Sequence, residues 1–135
     1  MKRDIFIDTS AFIALRVQDD SCHKKATGFL EIIQKQKLML HTTNFIVDEV
    51  YTYFCRTHDI AIEMAELIRS NPLITLHRVD AEQEEQAWTI LKNYADKGFS
   101  YTDATSFSVM ESLEIKTAFT FDDHFRQYGK FIIVP

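Results

Sequence analysis

Short apolar runs alternate with helix-length amphipathic stretches along the whole chain, and few folds accommodate that alternation. The runs at 5–7, 38–41, 73–77, 116–121 and 131–134 read as five strands. They are short and rich in β-branched and aromatic residues, as strands covered on both faces tend to be. Between them, cap residues are followed by apolar positions three and four apart, the periodicity of a helix with one buried face.

Asp8-Thr9-Ser10 starts a short helix over 11–15, and Asp19-Asp20-Ser21 opens a second over about 22–35. Thr42-Thr43-Asn44 caps a third, carrying Phe45, Ile46, Val50, Tyr53 and Phe54, which His58-Asp59 separates from a fourth. The fourth carries Ile60, Met64, Leu67 and Ile68 and ends at Asn71-Pro72. Asp80 caps a fifth that stops at Lys97-Gly98; Ser100 or Thr102 caps a sixth reaching about Leu113; a last short helix covers 122–128. Strands alternating with helices predict an α/β sandwich around a mainly parallel sheet of five strands. With 3 Gly and 2 Pro in 135 residues, and no linker or repeat, one domain spanning 1–135 is expected.

Functional crevices of such sheets lie beyond the carboxyl ends of the strands. Four acids fall at or near that edge. Asp8 ends the first strand and Asp122 the fourth. Glu49 stands four after Phe45, three after Ile46 and four before Tyr53, on the apolar side of its helix, whereas Asp48 shares a polar face with Asn44 and Thr52. Asp103 stands four before Phe107, in the first turn of its helix. Each has an ordinary explanation: an N-cap for Asp8 and Asp122, a helix-edge side chain for Glu49, a favourable helix dipole for Asp103. Together they would repel one another unless cations stood between them. All-oxygen ligation suits Mg2+ or Mn2+. The five histidines show no paired spacing that would favour zinc. Asp123 is the rival of Asp122 for the fourth place.

The formal charge of −5 opposes simple attraction to a nucleic-acid backbone, so any such binding would need metal and a local basic rim. Arg16, Lys24, Lys25, Arg56, Lys97 and Arg126 are the candidates for that rim. Two cysteines without a CxxC pair imply no disulfide framework, and no signal peptide or membrane span is legible, so a cytoplasmic setting is expected.

The stretches Ile5 to Phe12, Thr43 to Glu49 (TNFIVDE), Tyr101-Thr102-Asp103-Ala104 and Phe119 to Phe125, in this order and spacing, resemble a PIN domain of the VapC type found in toxin–antitoxin pairs. The resemblance covers essentially the whole chain. It implies a three-layer α/β/α sandwich and a Mg2+- or Mn2+-dependent endoribonuclease with Asp8, Glu49, Asp103 and Asp122 as metal-binding quartet. Ser10 would be an auxiliary hydroxyl near metal or phosphate. It also implies a cognate antitoxin, often inserting Arg or Lys into the acidic pocket, and a homodimer. The helices carrying Phe45 to Phe54 and Ile60 to Ile68 offer apolar surface for that dimer, or simply for the core. A PIN-like scaffold that binds without cutting would not need all four acids, which are present here, and three other functions compete with the toxin reading. A PIN-type nuclease of RNA processing or DNA shares every one of these features. A haloacid-dehalogenase-like phosphotransferase needs an Asp where Ser10 stands. A receiver-like signalling domain needs a phospho-accepting Asp after the third strand, where His77-Arg78-Val79-Asp80 is a poor match.

Overall fold

The computed structural model describes residues 3–135. Five strands, β1 (Asp4–Ile7), β2 (Met39–Thr43), β3 (Ile74–His77), β4 (Thr117–Phe119) and β5 (Ile132–Val134), form one sheet in the order β3-β2-β1-β4-β5. Every pairing is parallel. Seven helices connect them: α1 (Thr9–Arg16), α2 (His23–Gln36), α3 (Asn44–Phe54), α4 (His58–Ser70), α5 (Ala81–Asn93), α6 (Tyr101–Ser112) and α7 (Asp123–Tyr128).

The two faces of β1 explain the layers. Ile7 lies in register with Phe119, whose ring meets Phe29 of α2 edge-on at 4.9 Å. Phe6 lies in register with Ala118 and faces Phe125 of α7, which in turn meets Phe107 of α6 at 4.9 Å. Helices therefore cover both faces, as fully apolar strands require. Phe6, Phe107, Phe119 and Phe125 are completely buried. Four such rings supply a large share of the core's hydrophobic stabilisation, at about 1.5–3 kcal/mol for each buried side chain.

Several boundaries move by a residue or two from the sequence reading. α3 ends at Phe54 and α4 already begins at His58, so the chain turns at 55–57 rather than at His58-Asp59. β4 is shorter than the apolar run 116–121: beyond Phe119, Thr120 still donates its N–H to Val134 O, but its side chain has turned to another task. Ser100, not Thr102, caps α6. Gly129 ends α7 at φ 82, a left-handed conformation that favours glycine.

The chain runs β1, β2, β3 outward on one side and then crosses to place β4 on the other side of β1. The point where the direction reverses lies between β1 and β4. Parallel sheets open a crevice there, beyond the strand ends. Asp8 follows β1 directly, whereas Asp122, expected at the end of the fourth strand, follows β4 only after Thr120 and Phe121.

Candidate active site

Asp8 is the N-cap of α1 and 3% exposed. Its Oδ2 accepts hydrogen bonds from the Ser10 hydroxyl at 2.8 Å, the Thr120 hydroxyl at 2.9 Å and the Ser10 N–H at 3.3 Å. The Ser10 hydroxyl also accepts from the N–H of Phe121 at 2.9 Å, and Thr120 Oγ1 accepts from the N–H of Asp122 at 3.0 Å. These bonds lock the turn after β4 against the start of α1. Ser10, expected near metal or phosphate, donates its hydroxyl hydrogen bond to Asp8.

Asp103 closes a capping box at the start of α6. Ser100 Oγ accepts from the Asp103 N–H, and Asp103 Oδ2 accepts from the Ser100 N–H, both at 3.0 Å. The same Oδ2 lies 2.7 Å from His124 Nδ1. Asp122 caps α7 by accepting from the His124 N–H through Oδ1 at 2.9 Å. Glu49, on α3, accepts the Thr9 hydroxyl on Oε1 at 2.6 Å.

One pattern runs through all four. Each carboxylate has one oxygen engaged by the protein: Oδ2 of Asp8 and Asp103, Oδ1 of Asp122, Oε1 of Glu49. The other oxygen of each takes no hydrogen bond from any described residue. Carboxylates held this way are oriented yet keep a lone-pair edge for a further ligand.

Asp8, Glu49 and Asp103 each feel the charge of Asp122. Burial pushes the Asp8 carboxyl up to about 7 against the pull of the Ser10 and Thr120 hydroxyls, with Asp122 and Asp103 adding repulsion. Burial also raises Glu49 and Asp103, and repulsion from Asp122 reaches both. Asp8, Thr9, Ser10, Glu49 and Asp122 line an open cleft of about 430 Å3, together with Ile13, Asp48, Thr52 and Tyr53. Among the described residues, no Lys or Arg lines it. The basic rim expected from Arg16, Lys24, Lys25, Arg56, Lys97 and Arg126 is not on this wall; Arg16 pairs with Glu63, Lys97 with Asp96 and Arg126 with Asp123.

Asp123 points elsewhere. Its carboxylate is exposed and accepts from Gln127 at 3.0 Å, with Arg126 at 3.5 Å. His124 is what the sequence reading overlooked. Ligand atoms of Asp103, Asp122 and His124 all lie within 4.8 Å of one another. The signal was present two residues after Asp122, but residues of one helix start share a site only once the turn is known. His41 and His77 also pair, with ring nitrogens 2.9 Å apart across β2 and β3, which no sequence spacing disclosed. His41 spends its second nitrogen on Asp4 at 2.8 Å, so these two rings make a hydrogen-bonded chain rather than a metal ligand set.

The donors fit a hard divalent cation. Four carboxylates offer free oxygens, the described cleft wall brings no cation of its own, and Nδ1 of the nearby His124 is engaged by Asp103.

The PIN domain family model matches residues 5–131. VapC20 of Mycobacterium tuberculosis, a 23S rRNA-specific endonuclease, is 33% identical over 127 residues, covering 93% of this chain and 94% of that protein. The crystal structure of M. tuberculosis VapC20, described as a Sarcin-Ricin loop cleaving toxin, superposes with a TM-score of 0.84 at 31% identity over 97% of this chain and 99% of that one. VapBC2 from Rickettsia felis, solved with a promoter DNA fragment, gives 0.72 at 11% identity, covering 96% of each chain. FitAcB from Neisseria gonorrhoeae gives 0.68 at 15%, covering 97% of this chain and 96% of that one. The last two share the fold.

Proposed function

This chain belongs to the PIN domain family, and from that premise we propose that its cleft is the active site of a Mg2+- or Mn2+-dependent endoribonuclease, the toxin of a VapBC-type pair. The observation that carries the reading is the quartet: four carboxylates from four separate segments, each with one oxygen fixed and one free, beside a cleft wall without a Lys or Arg. The whole chain, 1–135, is read as one nuclease domain.

A divalent ion bound there would lower the pKa of a water nucleophile and stabilise charge on the phosphate oxygens. Asp8 and Asp103 would be its principal ligands, with Glu49 and Asp122 completing the site directly or through water. Thr9, Ser10, Thr120 and His124 fix the orientation of those carboxylates. The raised carboxyl of Asp8 makes ion binding compete with a proton, so affinity for the ion rises with pH through about 7.

The substrate is RNA, as for the 33% identical relative. A cognate antitoxin is the expected protein partner, and a cleft without cations suits an inserted Arg or Lys. No helix among the described residues is long and apolar enough to cross a membrane, and the proposed setting is the cytoplasm. Exposed Ile62 and Leu67 on α4 favour a homodimer, which sedimentation of the pure protein decides.

The deciding experiment is RNA cleavage by wild type and Asp8→Asn, with Mg2+ or Mn2+ and with chelator. Wild type cleaves only with metal, and Asp8→Asn does not cleave. Cleavage that survives either the chelator or the substitution refutes the assignment.

A further inference from the structure

The cleft poses a binding problem that its charges do not solve. Its wall is acidic, the formal charge is −5, and no Lys or Arg among the described residues lines it, so attraction to phosphates there falls to a bound cation. Unpaired RNA offers a second handle, the faces of its bases, which stack on aromatic side chains without regard to sequence.

The α3 wall carries aromatics on both sides of Glu49. Phe45, Glu49 and Tyr53 follow at intervals of four and share one face of the helix. The Phe45 end is closed: Tyr101 packs against its ring at 5.7 Å between centroids, and the Tyr101 hydroxyl is tied to Glu84 at 2.9 Å. The Tyr53 end is open. Tyr53 lines the cleft with Asp8, Glu49 and Asp122 and is 59% exposed. Its ring is braced edge-on by Phe54 at 4.9 Å and 81°. It stands about 6 Å beyond Glu49 along the helix axis, at 1.5 Å per residue.

We propose that Tyr53 is a stacking platform for an unpaired base next to the scissile phosphate. The proposal rests on the nuclease reading of the quartet and deepens it: the RNA is gripped by metal at one phosphate and by Tyr53 at a neighbouring unpaired base. Duplex RNA, whose bases are already stacked on one another, cannot use this platform.

The test is steady-state cleavage in Mg2+ of a labelled RNA hairpin with a large unpaired loop, the cut being mapped from the product ends. Tyr53→Ala raises KM by about 5- to 150-fold, the factor that corresponds to removing one base–aromatic stack, with a smaller change in kcat. Tyr53→Phe, which keeps the ring, recovers most of the loss. The slope of log KM against log salt stays the same in Tyr53→Ala, because no phosphate contact has been removed. An abasic nucleotide beside the cut costs wild type a similar factor and adds little to Tyr53→Ala, the non-additivity of two groups in contact. The inference fails if wild type cleaves and Tyr53→Ala shows an unchanged KM, if the abasic penalty is fully additive, or if Tyr53→Ala acts by changing the sedimenting species. If wild type with Mg2+ cleaves no RNA, the nuclease reading itself falls, which is a different result from an indifferent Tyr53.

Discussion

Asp8 shows what burial does to a carboxylate that lacks a cation. The group sits at about 7 in the fold and near 3.8 when solvated. In the metal-free protein the folded state therefore keeps a proton that the unfolded chain releases above 3.8. By linkage, this group's contribution to stability is greatest below that value and falls as pH rises through the window from 3.8 to about 7. A shift of that size corresponds to on the order of 4 kcal/mol. Glu49 and Asp103 are shifted in the same direction. Metal-free protein is expected to melt at a lower temperature at pH 8 than at pH 5, and Mg2+ is expected to raise the melting temperature more at pH 8. Thermal unfolding with chelator and with Mg2+ checks both, and a metal-free protein most stable at pH 8 would contradict this account. Asp8→Asn keeps an acceptor for Ser10 and Thr120 while removing the charge. At pH 8 its metal-free form should melt no lower than wild type, and its response to Mg2+ should be lost.

At the scale of elements, the caps double as site architecture. Asp8, Asp103 and Asp122 each bond to the start of a helix, through α1, α6 and α7. The ordinary capping explanation and the functional one are therefore compatible, because one oxygen of each carboxylate serves the cap and the other stays free. Ser100→Ala removes one half of the α6 capping box and is expected to cost about 1 kcal/mol of stability. The Asp103 N–H loses its acceptor while its carboxylate keeps the Ser100 N–H, so the turn that aims the carboxylate loosens and the Mg2+-induced rise in melting temperature should shrink. Asp80→Ala breaks the equivalent box on α5, away from the cleft, and should cost a similar amount while leaving the Mg2+ response intact. Equal Mg2+ responses in the two variants would separate the α6 cap from the site. The helices themselves were largely legible, since Asp80, Thr43 and Asp8 stand where caps were expected. The exchange between α3 and α4 was misplaced because His58-Asp59 suits either a break or a first turn, and only the packing of α4 on α3 chooses.

For the whole molecule, charge decides how RNA is held. A net −5 and a cleft without Lys or Arg leave few phosphate contacts. The slope of log KM against log salt in saturating Mg2+ should thus be shallow, about 1–2 phosphates' worth at roughly 0.7 per contact for single strands. A slope several times steeper would reveal a basic surface outside the cleft. The basic candidates named from sequence were simply the available Lys and Arg; which face each occupies depends on helix orientation, and periodicity within one helix does not report that.

The sequence by itself determined the layer plan and the acids. Five apolar runs too short for helices, separated by capped amphipathic stretches, leave little but a parallel sheet covered on both faces, because each face must be buried. Glu49 and Asp103 were marked by their places among apolar neighbours, and Asp8 and Asp122 by following strands. Tertiary structure alone decided what those residues meet. The strand order β3-β2-β1-β4-β5 puts the ends of β1 and β4 side by side, and so joins residues 8 and 122 through Ser10 and Thr120. His124 on Asp103, Thr9 on Glu49, the open ring of Tyr53 and a described cleft lining without Lys or Arg follow from that same closure. Such contacts link segments far apart in the chain, and local spacing carries no information about them.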